Sequence, residues 1–256
     1  MEPRLQQDGV ASVIDFNHGA LKSRAAVPTT EMLDGAAASL QRQQERRSYL
    51  GGSRLGEACA RKLQFEYMGR PDTRPFTAKT HIIFATGHAL EDEVAKLLRG
   101  AGFDLRTHDR DGQQFGFSVA GDRIRGHIDG VVCGGPAHLG PYPYLWESKW
   151  VAAKYWGAIV KKGVAIERPV YAGQVAIYQA YMGLEDNPAL FSVGNRDTGE
   201  IAFERLPFDA RRAQEVSDRG VSILTACEAG EWLPRAYASA SFYECKWCPF
   251  SAECWA

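Results

Sequence analysis

The chain has 256 residues, 45% of them hydrophobic and 24% charged, with a formal net charge of −1. That is the composition of an ordinary globular protein, long enough for one substantial core or two small ones. Its near-neutral balance excludes nucleic-acid binding driven by global charge, so any such contact must use local basic patches. No apolar run approaches a membrane span, and Met1 to Asp8 lack the apolar centre of a secretory signal. We therefore expect a cytoplasmic, reducing location. There, six cysteines argue for metal or cluster ligation over disulfides.

Residues 1–47 read as a polar, Ala-rich arm, with a helix starting near Thr29 and running to Gln44. The basic stretch Gln41 to Arg47 reads as a solvated face. The domain proper spans 48–256. Glycines around Gly51 and Gly52 end a loop, and a helix follows to about Met68 with Cys59 at or just before its first turns. Gly69 to His81 reads as a loop. A helix opens at Phe84 and continues to about Arg99, with Leu90, Val94, Leu97, Leu98 and Ala101 as its buried stripe. His88 and Glu91, three apart, share one of its faces near the start.

A hairpin follows, Phe115 to Val119 against Arg123 to Val132. Asp129 falls within that second apolar run. An unpaired Asp inside a strand is disfavoured, so it should meet a ligand or a hydrogen-bond partner. After a Gly/Pro-rich loop comes Tyr144 to Trp150, read as a strand. Alternation puts Leu145, Glu147 and Lys149 on one side, the last two about 7 Å apart at Cα. A buried carboxylate there needs pairing; a metal ion with a phosphate and a water would supply it, whereas an exposed edge strand would not need it. A short helix over Trp156 to Lys162, a helix over 168–182 carrying Gln174 and Tyr178 on one face, a strand pair near 190–205 and a helix from Phe208 to Ala229 complete the body.

The tail gives Cys245-x2-Cys248-x5-Cys254. With one more thiolate it makes a four-sulfur site, and Cys59 is the best candidate, with Cys133 and Cys227 in reserve. Four thiolates suit an iron–sulfur cluster or a structural zinc, and the spacing does not choose between them.

The order His88, Asp129, Glu147-x-Lys149, then Gln174-x3-Tyr178, with one upstream and three C-terminal cysteines, resembles the RecB-like PD-(D/E)XK nucleases that carry a 4Fe-4S cluster. These include the CRISPR-associated exonucleases and the AddB nuclease domain, and small phage recombination exonucleases share the core. The resemblance covers about 48–256, and Ile128 stands where the motif has proline. It implies an α/β restriction-endonuclease-like core, a mixed central sheet flanked by helices, with an iron–sulfur subdomain joining the N-terminal helix region to the tail. His88, Asp129, Glu147 and the Ser148 carbonyl would hold Mg²⁺ or Mn²⁺, the imidazole tilting the choice towards Mn²⁺. Lys149 would act on water and phosphate, Gln174 and Tyr178 would touch DNA or orient Lys149, and Glu91 would serve a second ion. Cys59, Cys245, Cys248 and Cys254 would hold the cluster. The implied function is a DNA exonuclease acting on single-stranded or duplex ends, and its implied partners are further copies of the chain or recombination and CRISPR proteins. Arg54, Arg61, Lys62, Lys154, Lys161 and Lys162 are candidate phosphate contacts.

Overall fold

The computed structural model describes residues 31–43, 47–74 and 76–256. The expectations for residues 1–30 and 44–46, and for Pro75, lie outside them. In chain order the elements are α1 (Glu31–Gln43), β1 (Leu50–Gly51), α2 (Ala60–Tyr67), α3 (Ala78–Gly100), β2 (Asp104–Arg106), β3 (Gly116–Val119), β4 (Ile124–His127), β5 (Gly130–Gly134) and β6 (Tyr144–Val151). Then come α4 (Ala153–Lys162), α5 (Val164–Glu167), α6 (Pro169–Met182), β7 (Ala189–Asn195), β8 (Ile201–Leu206), α7 (Ala210–Ala229), α8 (Tyr243–Lys246) and α9 (Ser251–Trp255).

The strands form two sheets. A five-stranded mixed sheet runs β2-β5-β6-β7-β8, and a three-stranded sheet runs β1-β4-β3. At the centre of the larger one, β6 is antiparallel to β5 and parallel to β7, with Glu147 opposite Phe191 and Lys149 opposite Val193. A central strand covered on both faces carries apolar side chains on both, and Tyr144, Leu145 and Trp146 are all fully buried. Tyr144 and Trp146 join Val94 and Leu98 of α3 on one face. Leu145 joins Val175, Ile177 and Tyr178 of α6 on the other. Apolar nearly all round, α6 is buried between the sheet and α7. It stops at Gly183, whose left-handed φ of 64° caps it.

Two expectations change. The helix expected from Phe84 begins two turns earlier, because Thr77 caps it by accepting from the Thr80 amide. His88 and Glu91 therefore lie in its middle, not its first turn. Of the expected stripe, Val94 and Leu98 are buried but Leu97 is 64% exposed. The single strand expected over 123–132 is broken at Ile128 and Asp129: β4 pairs with β3 in the small sheet, while β5 pairs with β2 and β6 in the large one. The short strand β2, too brief to carry a period, had no sequence reading.

Helix α1 packs on α3, with Ala37 buried and the Asp34 carboxylate accepting from the Ala78 amide at 2.8 Å. The tail is fastened to α2. Phe65 stacks between Trp232 and Phe250 at 4.8 and 5.4 Å, Gln64 donates to the Glu231 carbonyl at 2.6 Å and accepts from the Leu233 amide at 3.0 Å, and Thr73 donates to the Pro249 carbonyl at 2.6 Å.

Candidate active site

Glu147 is fully buried. Its Oε1 accepts from the Lys149 ammonium and, at 2.5 Å, from the Gln174 carboxamide of α6. Its Oε2 is buried without a hydrogen-bond partner among the described residues. A buried carboxylate oxygen left unpaired is costly, which marks it as a place built for something else. Lys149 also donates to the Ser148 carbonyl at 3.2 Å. Asp129, at the point where the chain passes from the small sheet to the large one, accepts from the Ser148 amide at 2.7 Å. The sheet break thus supplies the partner that an acid in an apolar run requires.

A cavity of about 500 Å³ opens over these groups. His88 and Glu91 of α3, Asp129, Lys149, and Gln174 and Tyr178 of α6 line it. Glu147 lies behind them, under Lys149. Gly52 and Gly126 leave room for Tyr178, since a Cβ on either would come within 2.9 Å of its ring.

The charges oppose one another. Burial, then the Asp129 charge, and more weakly Glu91, push Glu147 up to about 8 against the pull of Lys149. Burial and Asp129 likewise push Glu91 up to about 7. Burial works against the Lys149 ammonium, but Glu147 and Asp129 outweigh it and raise its pKa. Burial and the Glu147 charge keep the Tyr178 phenol protonated well above its usual range. Converging carboxylates that repel one another are what a bound cation reverses.

As the side chains stand, no group of three or more His, Cys, Asp or Glu among the described residues could hold a metal ion. The donor chemistry still fits a hard divalent cation. The unpartnered Glu147 Oε2, the Asp129 carboxylate and the Ser148 carbonyl are oxygen donors, and Asp129 and His88 line the cavity.

Sequence reasoning passed over Tyr49, Ser53, Arg125 and His127, which also line the cavity, as does Arg47, read from the sequence as part of a solvated face. The Arg125 guanidinium lies over the Tyr49 ring at 5.2 Å. The available signal was the alternation Arg125-Gly126-His127, which places two basic side chains on one side of β4. Several expected phosphate contacts are committed elsewhere. Arg54 pairs with Glu57 and Glu66 (2.8 Å to the latter), Lys62 pairs with Glu57 at 2.8 Å, Arg61 donates to the Leu233 carbonyl, and Lys162 pairs with Glu167 at 2.7 Å. Lys161 is exposed.

Cys59, Cys245, Cys248 and Cys254 line a second cavity, of about 420 Å³, where the start of α2 meets the tail. Burial raises the thiols of Cys245 and Cys248, and nearby Cys59 adds to both. Cys133 lies in β5 and Cys227 in α7, both away from it.

The fold is α/β, with mixed sheets between helices, of the restriction-endonuclease-like architecture. Among solved structures it is similar to the crystal structure of an alkaline exonuclease, LHK-Exo, from Laribacter hongkongensis. The identity is 15% and the TM-score 0.51, over 82% of this chain and 96% of that one. The same exonuclease in complex with dAMP matches at a TM-score of 0.50, with the same identity and coverage. At this identity the likeness is one of fold. No family model and no curated protein matches the chain. No helix among the described residues is long and apolar enough to cross a membrane.

Proposed function

We propose that this chain is a divalent-metal-dependent DNA exonuclease of the PD-(D/E)XK type. The observation that carries the reading is the buried Glu147 carboxylate, with one oxygen unpartnered, beside Asp129 and under Lys149. The fold shared with an exonuclease supports it.

Asp129, Glu147, the Ser148 carbonyl and His88 are the residues that would hold Mg²⁺ or Mn²⁺, with Glu91 available to a second ion. When bound, the ion supplies Lewis acidity toward water and the scissile phosphate. Lys149 keeps its proton throughout and presents an ammonium to phosphate oxygen and to the attacking water. Gln174 fixes the Glu147 carboxylate from the α6 side, and Tyr178 remains a hydrogen-bond donor in the cavity wall. The basic part of the cavity lining, Arg47, Arg125 and His127, faces DNA phosphates. Water adds to phosphorus and the phosphodiester P–O bond breaks, leaving a phosphate and a hydroxyl end.

The same reading assigns Cys59, Cys245, Cys248 and Cys254 to a structural 4Fe-4S cluster, supported by their meeting in one cavity. The cluster would tie α2 to the tail, where the Phe65 stack and the Gln64 hydrogen bonds already join them.

Digestion of end-labelled linear and covalently closed circular duplex, with Mn²⁺ or Mg²⁺ added to chelator-treated protein, tests the activity. Linear DNA should be consumed while the circle resists. Equal rates on both would replace the exonuclease with an endonuclease. Binding of ends without cleavage of either would leave a DNA-end-binding module.

A further inference from the structure

Outside the carboxylate cavity, where α4 begins and α6 begins, an exposed tyrosine has two cations close to its ring. Tyr155 is 41% exposed. The Arg168 guanidinium lies 4.1 Å from its ring centroid and the Lys154 ammonium 4.6 Å. Neither cation makes an ion pair with a carboxylate among the described residues, in contrast to Arg54, Lys62 and Lys162. Hydrogen bonding to Lys154, then the Lys154 charge and more weakly Arg168, pulls the Tyr155 phenol below its usual pKa. Tyr243, also exposed, lies within electrostatic reach of Arg168 and of Tyr155.

This cluster is connected to the cavity along one helix face. Tyr171, Gln174 and Tyr178 follow one another at spacings of three and four on the side of α6 turned to β6, and Arg168 is the N-cap residue just before that helix. Tyr171 stands 5.9 Å from the Lys149 ammonium, and Arg168 is only about 4.5 Å of helix rise before it. A half-exposed ring with two cations close by can offer uncovered ring surface to a base and positive charge to the neighbouring phosphates. Bases within a duplex are already stacked on one another, so the ring selects an unpaired strand.

We propose that Tyr155, with Arg168 and Lys154, is a stacking platform for an unpaired base of single-stranded DNA running to or from the cavity. The direction of that strand rests on the nuclease reading; the binding itself does not. A purely structural role, pinning α4 to α6 through the Arg168 contact, makes different forecasts.

The test is fluorescence anisotropy of the full chain with a labelled oligothymidylate and with a blunt hairpin duplex, without divalent ion so that nothing is cut. Tyr155→Ala and Tyr155→Leu should weaken oligothymidylate binding about 5- to 100-fold, while Tyr155→Trp keeps it. Arg168→Gln should lower the slope of log affinity against log salt by about one. Duplex binding should change little. The platform is overturned if Tyr155→Leu binds like Tyr155→Trp, or if hairpin and oligothymidylate affinities fall together. Cleavage of linear DNA with unaltered oligothymidylate binding by the Tyr155 variants would sink the platform and leave the nuclease. The Leu/Trp contrast without any cleavage would sink the nuclease and leave the platform.

Discussion

Gln174 on α6 donates its carboxamide N–H to Glu147 Oε1 on β6 at 2.5 Å, joining two elements 27 residues apart across the layer between helix and sheet. The same oxygen accepts from Lys149, so one carboxylate oxygen is held twice while the other is left unpartnered. Gln174→Leu removes a donor from a buried carboxyl acceptor. Unfolding by urea without divalent ion should show a loss of about 1–3 kcal/mol. An unchanged midpoint would mean that the carboxamide does not carry the carboxylate.

In the proposed site the carboxylates would hold the ion and the Lys149 ammonium would not. Glu147→Ala and Asp129→Ala should lose both divalent-ion affinity and cleavage. Lys149→Ala should keep the ion, since an ammonium is not a ligand, and lose about 10²–10⁴ in rate. Titration calorimetry beside a single-turnover cleavage assay reads both quantities. Near-wild-type cleavage by Lys149→Ala would take the chemistry away from β6.

Without divalent ion, stability should fall as pH rises. Burial and Asp129 raise Glu91 from 4.5 to about 7 in the folded chain. A carboxyl raised above its unfolded value contributes stability that is full below the unfolded pKa and lost as pH climbs through the folded one. Glu147, pushed up to about 8, extends the window upward. Urea midpoints should therefore drop between pH 5 and pH 8, and Glu91→Gln should flatten part of that drop. An identical pH slope in the variant would show that Glu91 does not feel Asp129. Added divalent ion should shrink the slope in the parent chain, because the cation takes over the neutralisation.

The cysteines divide into two groups. Protein purified without oxygen should carry iron and sulfide with visible thiolate–iron absorption. Serine at Cys59, Cys245, Cys248 or Cys254 should abolish it, and serine at Cys133 or Cys227 should not. Colourless protein with one equivalent of zinc would replace the cluster with a structural zinc site.

Much of this was legible in the sequence where local rules and tertiary demand agree. The apolar run of β6 set its alternation, and that alternation put Glu147 and Lys149 on one side. Pro169 and Gly183 bracket α6, so Gln174 and Tyr178 were placed on a common face before any fold was known. What escaped depended on long-range partners. The start of α3 lies in an exposed stretch with no apolar stripe of its own, where Thr77 supplies the cap. The break at Asp129 is invisible in a continuous apolar run, because it exists only once β4 and β5 find different neighbours. The roles of Arg54, Arg61 and Lys62 could not be told from solvated charge until Glu57, Glu66 and the Leu233 carbonyl were in place.

The passage from one sheet to the other at Asp129 has a consequence for how such a protein can change. Glu147 and Lys149 stand on the large sheet and Glu91 on its neighbour α3, with Asp129 at the passage, whereas Arg125 and His127 stand on β4 of the small sheet, with Tyr49 just before β1. The two walls of the cavity are thus separately heritable. If the chain is the proposed exonuclease, substitutions on the small sheet would retune which DNA end is accepted while the carboxylates and Lys149 stay as they are. A laboratory seeking altered end preference would place its library at positions 47, 49, 125 and 127 and leave β6 untouched.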